Sequence, residues 1–86
     1  MRLMQEKDVA EAIRDVTNLP TGTVPVARNF IAKRNKSNKW VVEFTYLSTD
    51  GYKLRTRRGE PREFLRLNGV QSFMEKVGVR EFTVVL

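Results

Sequence analysis

The sequence predicts an α+β domain in which an antiparallel sheet of four to five strands carries two helices, packed mainly on one face. Three observations predict it. Two segments near the ends of the chain have apolar residues at helical spacing. The segments between them have the alternating apolar and polar residues of strands or read as extended, and turn residues separate all of these segments. The order helix, three strands, short strand, helix, strand is typical of α+β architecture.

The 86 residues suffice for one domain, residues 1–86. The chain has no cysteine and no histidine, so it lacks disulfides, thiolate metal ligands and the commonest general base. No apolar run reaches the roughly 20 residues that span a bilayer, and acidic residues interrupt the stretch where a signal peptide would be apolar. We therefore expect a cytoplasmic protein with no cofactor, no metal, no membrane association and no small-molecule substrate.

The first helix is predicted over residues 4–17 and should stop before Pro20. Its apolar stripe follows the spacing i, i+3, i+4, i+7 and consists of Val9, Ala12, Ile13 and Val16. We expect this stripe to cover the sheet; a dimerisation or docking helix is the alternative.

A first strand is predicted over residues 24–34. Pro25 cannot donate a ladder hydrogen bond, so this strand should lie at a sheet edge or begin late. Its inward face would include Arg28 unless a β-bulge intervenes. Residues 35–38 form a polar connection of hairpin length.

The strongest pattern lies in residues 39–58, which predict a hairpin of strands 39–47 and 51–58 with its turn at Asp50-Gly51. Alternation places apolar side chains on one face and positive charge on the other. The predicted buried residues are Trp40, Val42, Phe44, Tyr46 and Leu54. The predicted cationic row is Lys53, Arg55 and Arg57. Because Trp40 shares the apolar face, we assign it to the core rather than to base stacking.

The second half of the chain continues with a turn at residues 59–61 and a short extended piece at 62–65. A second helix then follows, with Asn68 as N-cap, Gln71 completing a capping-box-like pair and Gly78 at the C-terminal end. The apolar stripe of this helix consists of Val70, Phe73, Met74 and Val77. The last strand is predicted over residues 80–86.

The net charge of +6 is unevenly distributed. It is −1 over residues 1–25, +7 over residues 26–66 and zero over residues 67–86. Clustering of positive charge on the predicted sheet is typical of nucleic-acid binders. A solvated strand face, with basic residues that prevent edge aggregation, would give a similar pattern.

Nine basic residues are the candidates for contact with nucleic acid, and duplex DNA is the partner we expect. Phosphate contacts are predicted for Lys33, Arg34, Lys36, Lys39 and Arg62. Base or groove contacts are predicted for Lys53, Arg55, Arg57 and Arg58, because arginine can pair bidentately with guanine. A homodimer, which would add buried area to a small domain, is compatible with this assignment.

We predict no enzymatic activity and no catalytic residues. The glycines are isolated, so no phosphate-binding loop is present, and the acidic residues are scattered. A small basic ribonuclease similar to the RelE-like toxins in size and charge is the one catalytic alternative. Tyr46, Tyr52 and Arg55 have suitable side chains for it.

Residues 39–77 resemble the three-stranded DNA-binding domains of the AP2 and integrase arm-binding type. The resemblance consists of Trp40, the Asp50-Gly51 pair, the basic second strand, Phe64 and the helix that follows. It implies a sheet that lies in the major groove with its outward side chains on base edges. The turn at residues 59–61 and the extra short strand depart from the pattern.

Residues 54–64 and 78–85 are similar to small basic proteins of bacterial plasmids and other mobile elements. This resemblance implies an accessory or regulatory role. The alternative is a protein-interaction module of a mobile element, whose positive face meets an acidic partner without binding DNA.

Overall fold

The computed structural model describes residues 2–17, 27–46 and 50–86, with side chains for residues 2–13, 29–45 and 51–86. These residues form an α+β fold with two helices and a five-stranded sheet, as the sequence predicts. The elements in chain order are β1 (Arg2–Gln5), α1 (Glu6–Thr17), β2 (Ala27–Arg34), β3 (Trp40–Tyr46), β4 (Asp50–Arg55), α2 (Leu67–Val77) and β5 (Thr83–Val85).

The sheet has the strand order β1-β4-β3-β2-β5 and is mixed, so the prediction of a purely antiparallel sheet is wrong. The three central strands form an antiparallel meander. At the edges, β1 pairs in parallel with β4 and β5 pairs in parallel with β2. Helix α1 connects β1 to β2, and helix α2 lies between β4 and β5. A helix returns the chain to the starting end of a sheet, so the two strands it joins run in the same direction.

Both helices pack on one face of the sheet, which we call the inner face. The connections through α1 and α2 cross the sheet towards the same edge, and the right-handed rule for such crossovers then places both helices on the same side. The composition of the core is consistent with this placement of the helices, because Val9 of α1 and Phe73 of α2 belong to one buried cluster with Val42 and Leu54 of the sheet.

The inner face of the hairpin is buried as predicted. Trp40 is 5% exposed and belongs to the core. The ring of Phe44 stacks on Phe30 at 5.0 Å and on Tyr52 at 6.0 Å between centroids. Val42, Phe44 and Leu54 are also buried. The side chain of Tyr46 lies outside the described residues.

The prediction that Asp50-Gly51 forms the hairpin turn is wrong. Both residues lie within β4, where Asp50 pairs with Tyr46 and Gly51 pairs with Thr45. A two-residue turn at 50–51 would place Phe44 opposite Arg57. Directly opposed residues share a face, so Arg57 would then lie on the apolar face. The observed register instead places Phe44 opposite Tyr52, which allows both apolar sets to be buried. Burial therefore overrides the local turn signal.

The N-terminal region contains a strand that the sequence did not predict. Residues 4 and 5 belong to β1, and α1 begins at Glu6 rather than at residue 4. Met4 pairs with Leu54 and packs against the core, so tertiary contacts select the extended conformation here. Val9 and Ala12 are buried and Ile13 is packed against the core, as predicted. Val16 lies outside the described side chains.

Strand β2 lies between β3 and β5, so the first of its two predicted alternatives, an edge position, is wrong. The other alternative, a late start, stays a prediction. Residues 24–26, including Pro25, fall outside the described residues. The β-bulge that would turn Arg28 away from the inner face is present, because Asn29 and Phe30 of β2 together oppose the single residue Phe44 of β3. Asn29 at this bulge has φ of 57°, a left-handed conformation that asparagine tolerates better than most residues. The side chain of Arg28 is not among those that the structure describes.

Helix α2 begins at Leu67 with Arg66 as N-cap, so the assignment of Asn68 as N-cap is wrong. Leu67 packs against the core and extends the apolar stripe by one turn, which outweighs the capping preference of asparagine. The Gln71 side chain bonds Glu75 instead of the helix start. Val70, Phe73, Met74 and Val77 are all buried, as predicted.

The C-terminal end of α2 is as predicted. Gly78 has φ of 94°, and its N–H donates to the carbonyl oxygens of Met74 and Glu75. The N–H of Val79 donates to Met74 at 2.8 Å and completes a Schellman motif. The last strand is shorter than predicted, since β5 covers only Thr83–Val85 and Leu86 is fully exposed. Neither described helix is long and apolar enough to cross a membrane.

Candidate nucleic-acid interface

Four of the five strands end at the same end of the sheet, because β1, β4, β2 and β5 all run in one direction. Residues 34–39 and 55–63 lie there, and we call them the loop end. Two isolated bridges hold the second segment and the residue that follows it against the sheet: Arg55 of β4 pairs with Pro61, and Trp40 of β3 pairs with Phe64. A side-chain hydrogen bond from Asn35 to Glu63 links the segments directly.

The loop end contains seven of the nine predicted binding residues. The two segments include seven basic and two acidic residues, so they carry +5 of the net charge of +6. The acidic residues are Glu60 and Glu63. The basic residues are Arg34, Lys36, Lys39, Arg55, Arg57, Arg58 and Arg62. The charge is therefore concentrated at one end of the sheet more than along its outer face, the face opposite the helices.

The other two predicted residues, Lys33 and Lys53, lie on the outer face beside Glu43. The Glu43 carboxylate is 3.0 Å from Lys33 Nζ and 3.9 Å from Lys53 Nζ. Its side chain is only 13% exposed. Burial of Leu54 between Lys53 and Arg55 agrees with the predicted outward direction of both cations. However, Glu43 partly neutralises the face, and Arg57 lies beyond the end of β4 in a turn.

The loop between β2 and β3 is held by its own side chains and presents two lysines. The Asn35 Oδ1 atom accepts hydrogen bonds from the backbone N–H groups of Ser37 at 2.9 Å and Lys39 at 3.0 Å. Asn38 has φ of 61° and accepts a bond from Arg34. These bonds fix the backbone, while the Lys36 and Lys39 side chains are exposed.

The turn after β4 presents two arginines in a similar way. The Thr56 N–H donates to the carbonyl oxygen of Glu60 at 2.8 Å, and the Gly59 N–H donates to that of Thr56 at 3.0 Å. Gly59 has φ of 91°, which favours glycine. Arg57 and Arg58 are exposed at the tip. Within the described residues, neither arginine makes an ion pair or a side-chain hydrogen bond.

Three other arginines of the loop end are held by contacts within the protein. Arg55 donates to the carbonyl oxygen of Thr56 at 3.0 Å and is partly buried. The Arg34 guanidinium lies over the Trp40 ring, 5.0 Å from its centroid. Arg62 lies 4.8 Å from the Phe64 centroid and 3.5 Å from the Glu6 carboxylate. The side chains most available to a ligand are therefore those of Lys36, Lys39, Arg57 and Arg58.

Lys7 is a basic residue near the loop end that the sequence did not assign to the site. It lies in the first turn of α1 and lines a groove with Arg55 and Arg57. The parallel pairing of Gln5 with Arg55 brings it there. No local pattern in the sequence indicates this pairing, so the residue could not be found before the sheet order was known.

Two of the side chains proposed for the ribonuclease alternative are described, and they lie on opposite faces of the sheet. Tyr52 lies on the inner face beside Phe44, and Arg55 lies on the outer face. The side chain of Tyr46 is not among those described. The described tryptophan and phenylalanine side chains are buried or packed against the core. They therefore offer no exposed platform on which a base could stack.

Comparison with known proteins adds no relative on which to base a function. The resemblances to AP2-type domains and to mobile-element proteins, which rest on residues 39–77 and on two C-terminal segments, stay predictions. No family model matches the chain, and no match was found among curated proteins or among solved structures.

Proposed function

We propose that this protein is a non-enzymatic nucleic-acid-binding protein that contacts duplex DNA through its loop end. One observation carries the proposal: the two loop-end segments concentrate +5 of the net charge of +6 at a single end of the sheet. A charge cluster of this kind attracts the phosphate backbone at any sequence. An accessory or regulatory role, such as the sequence resemblance implies, would use the same surface.

The loop end is better suited to the phosphate backbone than to bases in a single strand. Four exposed cations project from two backbones that are fixed by hydrogen bonds, so little conformational entropy of the loops is lost on binding. Recognition of single strands usually requires exposed aromatic rings for stacking. Among the described side chains, Trp40 and Phe64 are instead buried.

Binding of this kind should depend steeply on salt, because each neutralised phosphate releases condensed counterions. About four to six phosphate contacts predict a slope of roughly −4 to −5 in a plot of log affinity against log salt concentration. Fluorescence anisotropy with a labelled random-sequence duplex at several salt concentrations measures this slope. Absence of saturable binding near physiological salt would contradict the proposal and favour an acidic protein partner.

A matched pair of charge reversals tests the location of the site. Arg58→Glu changes the loop end, whereas Arg80→Glu makes the same change just before β5, at the other end of the sheet. Both residues are exposed, and the two variants have the same net charge. We expect Arg58→Glu to weaken duplex binding at least tenfold at low salt and Arg80→Glu to weaken it less than threefold, on the order expected for the loss of local phosphate contacts. Equal losses would show that only the total charge matters.

A further inference from the structure

A groove of about 280 Å³ opens at the loop end, between the first turn of α1 and the turn that follows β4. Four basic residues line it: Lys7, Arg55, Arg57 and Arg62. Its walls come from distant parts of the chain, which the pairing of β1 with β4 brings together. Of the four exposed loop cations, Arg57 lines this groove, whereas Lys36, Lys39 and Arg58 are not part of its lining.

The charge within this groove is only partly balanced by the protein. Its one acidic residue, Glu6, contacts Arg62 at 3.5 Å and Lys76 at 3.4 Å. Glu6 and Arg62 therefore offset each other. The positive charges of Lys7, Arg55 and Arg57 remain, and none of these three makes an ion pair with a described residue.

Arg55 gives the groove a fixed donor. Its Nη1 atom donates to the carbonyl oxygen of Thr56 at 3.0 Å, so the guanidinium is partly buried and held in place. A guanidinium keeps several N–H donors in a planar fork that matches the oxygens of phosphate. Arg57, two residues later, and Lys7, across the groove, can add donors from other directions.

We propose that this groove binds a phosphate group, held by Arg55, Arg57 and Lys7. This inference rests on the proposed function, because it takes nucleic acid as the source of the phosphate. The phosphate is either an internal one of the backbone or a terminal one. In both cases the oxygens accept hydrogen bonds from the two guanidinium groups and the ammonium group. The groove would then fix the position of the nucleic acid, while Lys36, Lys39 and Arg58 add general attraction.

A titration with inorganic phosphate tests the groove without nucleic acid. Backbone amide NMR signals of the full chain are followed at constant ionic strength, with chloride replaced by phosphate. We expect saturable shifts for residues 5–7 and 55–57. Arg57→Ala and Lys7→Ala should each weaken phosphate binding about fivefold or more, through loss of a charge-assisted donor. Arg58→Ala is the matched control, since it removes the same charge one residue away but outside the groove, and it should weaken binding less than twofold.

Shifts that do not saturate, or an equal loss in Arg58→Ala, would overturn the groove assignment. If duplex DNA still bound in that case, the proposed function would stand without the groove. Saturable phosphate binding that Arg57→Ala abolishes, in a protein that fails to bind duplex, would support the groove and reject DNA as the ligand.

A second titration identifies the source of the phosphate. Duplexes with a 5′-phosphate and a 5′-hydroxyl are compared for the unchanged protein and for Arg57→Ala. Tighter binding of the phosphorylated duplex, lost in Arg57→Ala, would assign the groove to a terminal phosphate. Equal binding that Arg57→Ala weakens for both duplexes would assign it to the backbone. Duplex binding that Arg57→Ala leaves unchanged in both cases would overturn the groove as a nucleic-acid contact.

Discussion

Glu43 limits how strongly the outer face of the sheet can attract an anion. Its carboxylate lies between Lys33 and Lys53 and is largely buried. A lysine that already contacts a carboxylate must give up part of that contact to bind phosphate. Lys36, by contrast, is exposed in a loop and makes no ion pair within the described part of the chain.

This difference predicts that two lysines with the same charge contribute unequally to DNA binding. Lys36→Ala should weaken duplex binding several-fold and reduce the salt slope by about 1. Lys53→Ala should change the affinity less than twofold at the same salt concentration, because Lys53 is half-buried and held near Glu43. Anisotropy titrations of both variants measure the duplex affinity. A larger loss of affinity in Lys53→Ala than in Lys36→Ala would favour a site on the outer face.

At this scale the sequence identified most basic residues of the candidate site but not their contacts within the protein. The cation-rich segments were evident from composition. The contact of Arg62 with Glu6 joins residues 56 positions apart, and Lys7 reaches the groove only through the pairing of β1 with β4. Such contacts depend on the sheet order, which no local pattern in this chain specifies.

At the scale of single elements, a glycine within α2 and the glycine that follows its last residue should respond oppositely to substitution by alanine. Gly78 has φ of 94°, so Gly78→Ala should lower the free energy of unfolding by about 1–2 kcal/mol through backbone strain. Gly69 has an ordinary φ, and a Cβ there would meet Phe64 at 3.4 Å, within van der Waals contact. Gly69→Ala should therefore raise stability by up to about 1 kcal/mol through helix propensity. Urea denaturation measures both changes, and equal destabilisation would show that Phe64 cannot accommodate the Cβ.

The apolar stripe of helix α1 should be needed for stability rather than for binding. Ile13 packs against the core, and its Cγ2 atom lies near Gly78. Ile13→Ala should lower the free energy of unfolding by about 2 kcal/mol, near the low end for buried apolar truncations because the residue is only partly buried. Tm should fall by roughly 10 °C. Duplex affinity below Tm should be unchanged.

The exposed Glu11 provides the control on the same helix. Glu11→Ala should alter stability by less than about 0.5 kcal/mol. If Ile13→Ala left the thermal melt unchanged as well, the apolar stripe would not be part of the core.

Elements with a complete periodic pattern were predicted well, and those that depend on distant partners were not. The stripe and C-terminal glycine of α2 specify the helix locally. Strand β1 has only four residues, and its extended conformation depends on pairing with β4. The hairpin was predicted with the correct strand pairing, but its second strand ends at Arg55 rather than at residue 58. Its turn was also wrong, because burial of Phe44 and Leu54 sets the register and a turn dipeptide does not.

At the scale of the whole molecule, the proposed site exists only in the folded chain. A ligand that binds the folded state stabilises it, and duplex at 100 times its Kd should raise the free energy of unfolding by up to about 2.7 kcal/mol. The increase will be smaller to the extent that the cationic unfolded chain also binds DNA. Thermal melts with and without duplex should show an increase in Tm of roughly 10 °C. Arg58→Glu should show a smaller increase at the same DNA concentration, and an identical one would argue against the loop end.

The common direction of four strands has a consequence for how this protein can change. It collects two connections, residues 35–39 and 56–60, at one end of the sheet, where Lys36, Lys39, Arg57 and Arg58 are exposed and lie outside the core cluster. Substitutions at these tips can alter the attraction for a polyanion while the buried residues stay the same. The charge at these tips and the apolar core are thus specified by separate sets of residues, so selection or engineering can change one without remaking the other.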